Sequence, residues 1–186
     1  QWLLRSRDVS SETWDSGEVF LHAATSDLFG CCLLDVRMPG MSGIELFDRL
    51  RTTQCRIPVI FLTGHGDVPM AVKALKDGAF DFVEKPYDDN ALVDKVLSAF
   101  AHDERRNARA ELIQQVRQRL AQLTQREAEV MQRILSGKLN KVIADDLGIA
   151  MRTVEVHRSH IFEKMQVRSA VELSQLLGIL PENRDV

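Results

Sequence analysis

The feature that most constrains this chain is a change of periodicity partway along it. Up to about residue 100, apolar runs of strand length alternate with helical patterns; beyond 123 only helical patterns continue. Segments 31–36, 58–63 and 79–84 each read as a strand ending in a polar cluster. Segments 44–50 and 68–75 have helical spacing, the second led by residues 64–67. Strands alternating with helices imply a parallel sheet with right-handed crossovers, and in such a sheet ligands sit beyond the carboxyl ends of the strands. With 186 residues, 45% of them apolar, the chain is long enough for two compact units with separate cores.

Read in order, those strand ends carry Asp35, Thr63 and Lys85. A carboxylate, a hydroxyl and an ammonium on one rim suit the acceptance of a phosphoryl group: Asp35 attacks, while Thr63 and Lys85 bond its oxygens. A plainer reading fits the same residues, with Asp35 capping the loop that follows and Lys85 serving only as its ion partner. Periodicity does not separate the two.

The stretches LLDVRMPGMSGIEL and VIFLTGHGDVPMAVKALKDGAFDFVEKP resemble the receiver domain of bacterial two-component response regulators of the FixJ-like group, from about residue 3 to 100. The resemblance implies a flavodoxin-like α/β fold and makes Asp35 the phosphoacceptor for a sensor histidine kinase. It implies Mg²⁺ held by Asp35 and the Arg37 backbone carbonyl, Thr63 as the switch hydroxyl and Phe82 as the aromatic that reorients with it. Lys85 is then the cation before Pro86, across a bond that is cis in the family.

A receiver opens with a strand ending in two acidic metal ligands, farther before the phosphoacceptor than the 34 residues that precede Asp35 here. Residues 1–20 read as the tail of a first helix, a second strand near 9–13 and the start of a second helix. We therefore expect the sheet to lack its first strand and the acidic pair. Asp8, Glu12 and Asp15, on or beside the second strand, are poorly placed to replace that pair. Asp35 with one carbonyl is a meagre Mg²⁺ site, so weak phosphorylation or none is expected. A phosphohydrolase of the haloacid dehalogenase type also uses an aspartyl nucleophile, but it has a second Asp where Arg37 stands, which argues against an enzyme.

Residues 101–122 are expected to form a helical linker after the receiver, 1–100. Apolar residues at 108, 112, 113, 116, 120 and 123 fit an extended helix or pairing with another chain; a solvated charged helix fits as well. From 123 to 186 Lys plus Arg equals Asp plus Glu, so no broad basic field announces DNA, and the case rests on a motif. Thr124 and Glu127 have capping-box spacing ahead of Val130, Met131, Ile134 and Leu135. Helix 140–147 closes at Gly148, and helix 151–165 follows with Val154, Ile161 and Met165 inward. Two helices joined by a short turn fit a helix-turn-helix within a four-helix, all-α domain; a plain mini-bundle is the alternative on pattern alone.

The stretch LTQREAEVMQRILSGKLNKVIADDLGIAMRTVEVHRSHIFEKMQVRS resembles the LuxR-type DNA-binding domain along its whole length. By resemblance, 151–165 is the recognition helix. Glu155, Val156 and Ser159 then face bases, while Lys141, Thr153, Arg158 and Lys164 hold phosphates. His157 is expected to be a satisfied packing residue. Ala150 stands where the family often has Ser or Thr, so the cap of that helix is lost, and the Met151 and Thr153 backbone groups are expected to rely on water or phosphate.

No run approaches the roughly 18 apolar residues a membrane span needs. Cys31, Cys32 and Cys55 have no metal-binding spacing and read as reduced, buried thiols. The chain thus reads as a cytoplasmic transcriptional regulator whose partners are double-stranded DNA, a cognate sensor histidine kinase, a second copy upon activation and, as a further candidate, RNA polymerase. The competing reading makes the shortened receiver a docking or dimerisation module, with DNA bound regardless of signal.

Overall fold

The structure is a computed structural model and describes residues 2–25, 28–53, 55–64 and 68–181. It contains two compact units, Gln1–Asn107 and Ala108–Val186. In the first, α1 (Trp2–Arg5) and α2 (Gly17–Ala23) precede β1 (Cys32–Asp35), α3 (Gly43–Thr52), β2 (Val59–Thr63), α4 (Val68–Lys76), β3 (Asp81–Glu84) and the beginning of α5 (Asp89–Ala121). The strands form a parallel sheet in the order β1-β2-β3, with Leu34 beside Phe61 and Phe61 beside Phe82.

Alternation along the strands sends side chains to two faces. Leu34, Phe61 and Phe82 pack with Phe20, Leu46 and Phe47 on the face covered by α2 and α3. Leu33, Ile60, Leu62 and Val83 pack with Leu4, Leu92, Val93 and Val96 beneath α1 and α5. A sheet buried on both faces needs unbroken apolar strands, which is why the three segments stood out in the sequence. The expected lead-in at 64–67 falls mostly outside the described residues.

The second strand expected at 9–13 is not formed: among the described residues β1 pairs with β2 alone. Segment 9–13 and residues 31–34 line a common cavity of about 810 Å³ together with Phe20, Val96 and Phe100. A strand is made by its neighbour's N–H and C=O groups, and 9–13 lies beside that cavity without a described strand to pair with.

The second unit holds the end of α5, then α6 (Gln125–Leu135), α7 (Asn140–Leu147), α8 (Met151–Met165) and α9 (Ala170–Leu177). Its core is Val130, Ile134, Ile143, Val154, Ile161, Met165 and Leu173; Leu135 is 40% exposed. The predicted linker is not a separate element. α5 is continuous over 33 residues, and Val116 is fully buried in the second core, with Leu120 and Leu123 against it. Val116 and Leu120 share one helix face and Leu123 follows just past the helix end, so this stripe packs in the second unit, Ala108–Val186.

The caps follow the sequence. In α6, Thr124 accepts from the Glu127 amide while Glu127 reaches back to the Thr124 amide. Gly148 ends α7 at φ 63°, ψ 38°, a left-handed conformation that costs glycine little. Ala150 gives α8 no side-chain cap, as expected. The Thr153 amide, however, donates to the Ala150 carbonyl at 2.9 Å, so it needs neither water nor phosphate.

Replacing Val116 by Ala leaves a void in the second core and is expected to cost about 2 kcal/mol. Calorimetry should show the transition of the second unit falling and that of the first unchanged; an unaltered second transition contradicts the assignment of this stripe.

Candidate phosphoacceptor rim and nucleic-acid interface

The parallel register brings the predicted rim together. Asp35, the last residue of β1, pairs with Leu62, and Thr63 one step on pairs with Glu84. The next amide, that of Lys85, donates to the Thr63 carbonyl at 2.7 Å. Lys85 Nζ is bonded to Asp35 Oδ2, and the Arg37 amide donates to Asp35 Oδ1 at 3.1 Å. The Lys85–Pro86 bond is cis. Thr63 is fully buried, its hydroxyl donating to the Gly64 carbonyl at 3.0 Å, while Phe82 is half-buried against the first core.

One contributor was missed. At Gly43 an added Cβ would lie 2.1 Å from the Asp35 carbonyl oxygen, so glycine lets the start of α3 close onto the end of β1. The Ser42–Glu45 capping box beside it was visible in the sequence and fixes that helix start.

Both oxygens of Asp35 are engaged, one by a cation and one by an amide. The resemblance gives Mg²⁺ this carboxylate and the Arg37 carbonyl, and no group of three His, Cys, Asp or Glu able to hold a metal occurs among the described residues. Mg²⁺ demands near-octahedral oxygen coordination, of which these two donors would supply a part. Burial pushes the Cys31 and Cys32 thiols up to about 12. Cys55 is buried, whereas Cys31 and Cys32 are half-buried.

In the second unit, α8 is buried through Val154, Ile161 and Met165 and open through Met151, Arg152, Thr153, Val156 and Ser159. Val156 is 43% exposed, which suits an apolar base reader. Glu155 is half-buried and paired with Arg152 at 3.1 Å. Arg158 is half-buried, its guanidinium 5.3 Å from the Phe162 ring centroid, and Lys141 is exposed on α7. His157 is half-buried, and its buried Nδ1 has no hydrogen-bond partner among the described residues.

Lys164 is placed differently from the others. Its Nζ lies 2.6 Å from Glu127 Oε2 and 3.2 Å from the Gln122 carbonyl oxygen. Glu127 is 3% exposed. Burial opposes its charge, but bonds from Lys164 and from the Thr124 amide and hydroxyl outweigh that and hold the carboxyl at about 2. The capping box foretold Glu127 but not its cation, which comes from 37 residues along the chain.

Comparison with known proteins matches this geometry. Residues 1–97 match the response regulator receiver domain, and 121–177 match the bacterial regulatory proteins of the luxR family. The chain belongs to the two-component response regulators that join a receiver to a LuxR-type DNA-binding domain, and it is a transcriptional regulator of that class.

Among its relatives, the C4-dicarboxylate transport transcriptional regulatory protein DctR of Rhodobacter capsulatus is 51% identical over 177 residues, covering 94% of this chain and 90% of DctR. The transcriptional regulatory protein FixJ of Bradyrhizobium diazoefficiens is 41% identical over 175 residues, covering 94% and 85%. Among solved structures, the response regulator StyR superposes with a TM-score of 0.85 at 43% identity, covering 95% of this chain and 89% of StyR. Full-length FixJ from B. japonicum gives 0.58 at 40% identity, covering 96% and 88%.

The depressed Glu127 carboxyl makes the second unit sensitive to acid. Because the folded value lies below the ordinary 4.5, its contribution is fully present above that pH and is lost as pH falls toward 2. Lys164 is the cation facing it, and His160 Nδ1 lies 3.8 Å from Glu127 Oε1. Glu127→Gln should lower stability by about 2 kcal/mol at neutral pH, and urea melts should show the gap closing below about pH 4.5. A gap independent of pH contradicts this.

Proposed function

We propose that Asp35 is the phosphoacceptor and that α8 reads double-stranded DNA as the output. An Asp35 carboxylate oxygen attacks phosphorus in the kinase's phosphohistidine; the P–O bond forms, the P–N bond breaks, and its electron pair returns to the imidazole. Lys85, already on Asp35, is placed to balance charge on the phosphoryl oxygens, and Thr63 reaches them by turning from the Gly64 carbonyl. Phe82 follows into the space Thr63 vacates. The observation that carries this reading is the joining of Asp35, Thr63 and Lys85 on one rim by the strand register.

The exposed Met70 and Val72 on α4 support a homodimer formed upon phosphorylation, which would set two recognition helices about one DNA turn apart. RNA polymerase is a further partner in this scheme. The chain acts stoichiometrically, as a regulator without turnover of its own. Among the described residues no helix is long and apolar enough to cross a membrane, which accords with work in the cytoplasm. Because the described donors do not complete a Mg²⁺ cage, phosphorylation of these 186 residues is slow.

Val156 and Ser159 face bases, with Glu155 beside them. Lys141, Thr153 and Arg158 hold phosphates and set register.

With acetyl phosphate and Mg²⁺, mass spectrometry should find well under one phosphoryl group per chain, all on Asp35 and none in Asp35→Asn. Stoichiometric labelling refutes the account of the metal site, and label surviving in the variant refutes Asp35. In binding assays, Val156→Ala should change sequence preference, whereas Lys141→Ala should weaken all sites alike and lower the salt slope by about 0.9. Identical behaviour of the two variants refutes this division of contacts.

A further inference from the structure

Lys164 and Glu127 do more in the second unit than any role assigned so far requires. One oxygen, Glu127 Oε2, accepts from Lys164 Nζ at 2.6 Å, the Thr124 amide at 2.8 Å and the Thr124 hydroxyl at 3.0 Å. Lys164 also donates to the Gln122 carbonyl, just past the end of α5. At the adjoining residue, Arg119 Nη1 on α5 donates to the Met165 carbonyl at 3.3 Å. The last two residues of α8 are therefore tied to the end of α5 and the start of α6.

We propose that Lys164, with Glu127 and Arg119, is a positioning residue that sets the seat of the recognition helix and does not touch DNA. This rests on the reading of α8 as the DNA-reading helix. Two physical arguments carry it. Drawing the Lys164 ammonium out to a phosphate would strip a buried carboxylate of its cation, the costly way to break such a pair. Lys164 also lies eight residues beyond Val156, about 12 Å along the axis, whereas base contacts come from the N-terminal part of such a helix. Over that length a helix moves as a rod, so a shift at the tied end reaches the reading end.

The test uses the full chain and a duplex that the unmodified chain selects from a random-sequence pool, with unselected pool DNA as the non-specific control. Dissociation constants are measured by fluorescence anisotropy over a range of salt. Lys164→Gln is expected to lose about tenfold on the selected duplex, about 1.4 kcal/mol, with no change on pool DNA and no change in salt slope. Glu127→Gln should reproduce that loss, and the double variant should be no worse than either single one, since the two act as a unit. Arg119→Gln leaves the buried pair in place and should show a smaller loss of the same kind, even if the pair variants fail to fold.

A loss on both DNAs with a slope lower by about 0.9 makes Lys164 a phosphate contact and overturns the proposal. Unchanged binding by Lys164→Gln and Arg119→Gln overturns it too. Failure of the unmodified chain to enrich any duplex would instead refute the DNA-reading assignment, an outcome distinct from both.

Discussion

Parallel pairing of three short strands is the constraint on which the phosphoacceptor rim depends. The side-chain period in a strand is two, so a slip of one residue would send Leu34, Phe61 and Phe82 to the wrong face and carry Asp35 off the rim. Burial of both faces forbids that slip: Phe61 and Ile60, successive residues facing opposite ways, are each fully buried. The apolar pattern that drives folding thereby fixes where the polar ends of the strands lie. Gly43 adds a second restraint at the same point by bringing α3 onto the Asp35 backbone. The Asp35–Lys85 pair is about 40% exposed on both sides, and pairs of that exposure contribute little to stability. Its place on the rim is inherited from the core beneath it.

The DNA-binding half follows the same logic with helices. Val154, Ile161 and Met165 bury one face of α8 completely, and this turns Val156 and Ser159 outward. Its polar fastening is separate from that apolar seat. It joins Thr124 and Lys164 around the Glu127 carboxylate, whose charge burial opposes. Helix α5 contributes to both halves, through Leu92, Val93 and Val96 in one core and Val116 in the other.

Much of this was legible from the residues. Strands, helices, capping boxes and the αL glycine all leave local signals, and the rim followed because strand ends of a parallel sheet share an edge. What could not be read depends on partners far along the chain. A strand at 9–13 was expected from the resemblance, yet pairing is settled by a neighbour that the segment itself does not name. The stripe at 116, 120 and 123 was visible, but which core it enters was not. Lys164 looked like a surface cation because nothing local shows that Glu127 waits beneath it.

The central claim is that residues 35, 63 and 85 share one rim, and the Asp35–Lys85 contact reports on it directly. Carbodiimide joins a carboxylate to an ammonium only where the two touch. Peptide mapping of the treated chain should yield an amide between Asp35 and Lys85 that is absent from Asp35→Asn. Lys85 found joined only to other carboxylates, or left unmodified while exposed pairs such as Lys138–Asp146 react, would contradict it.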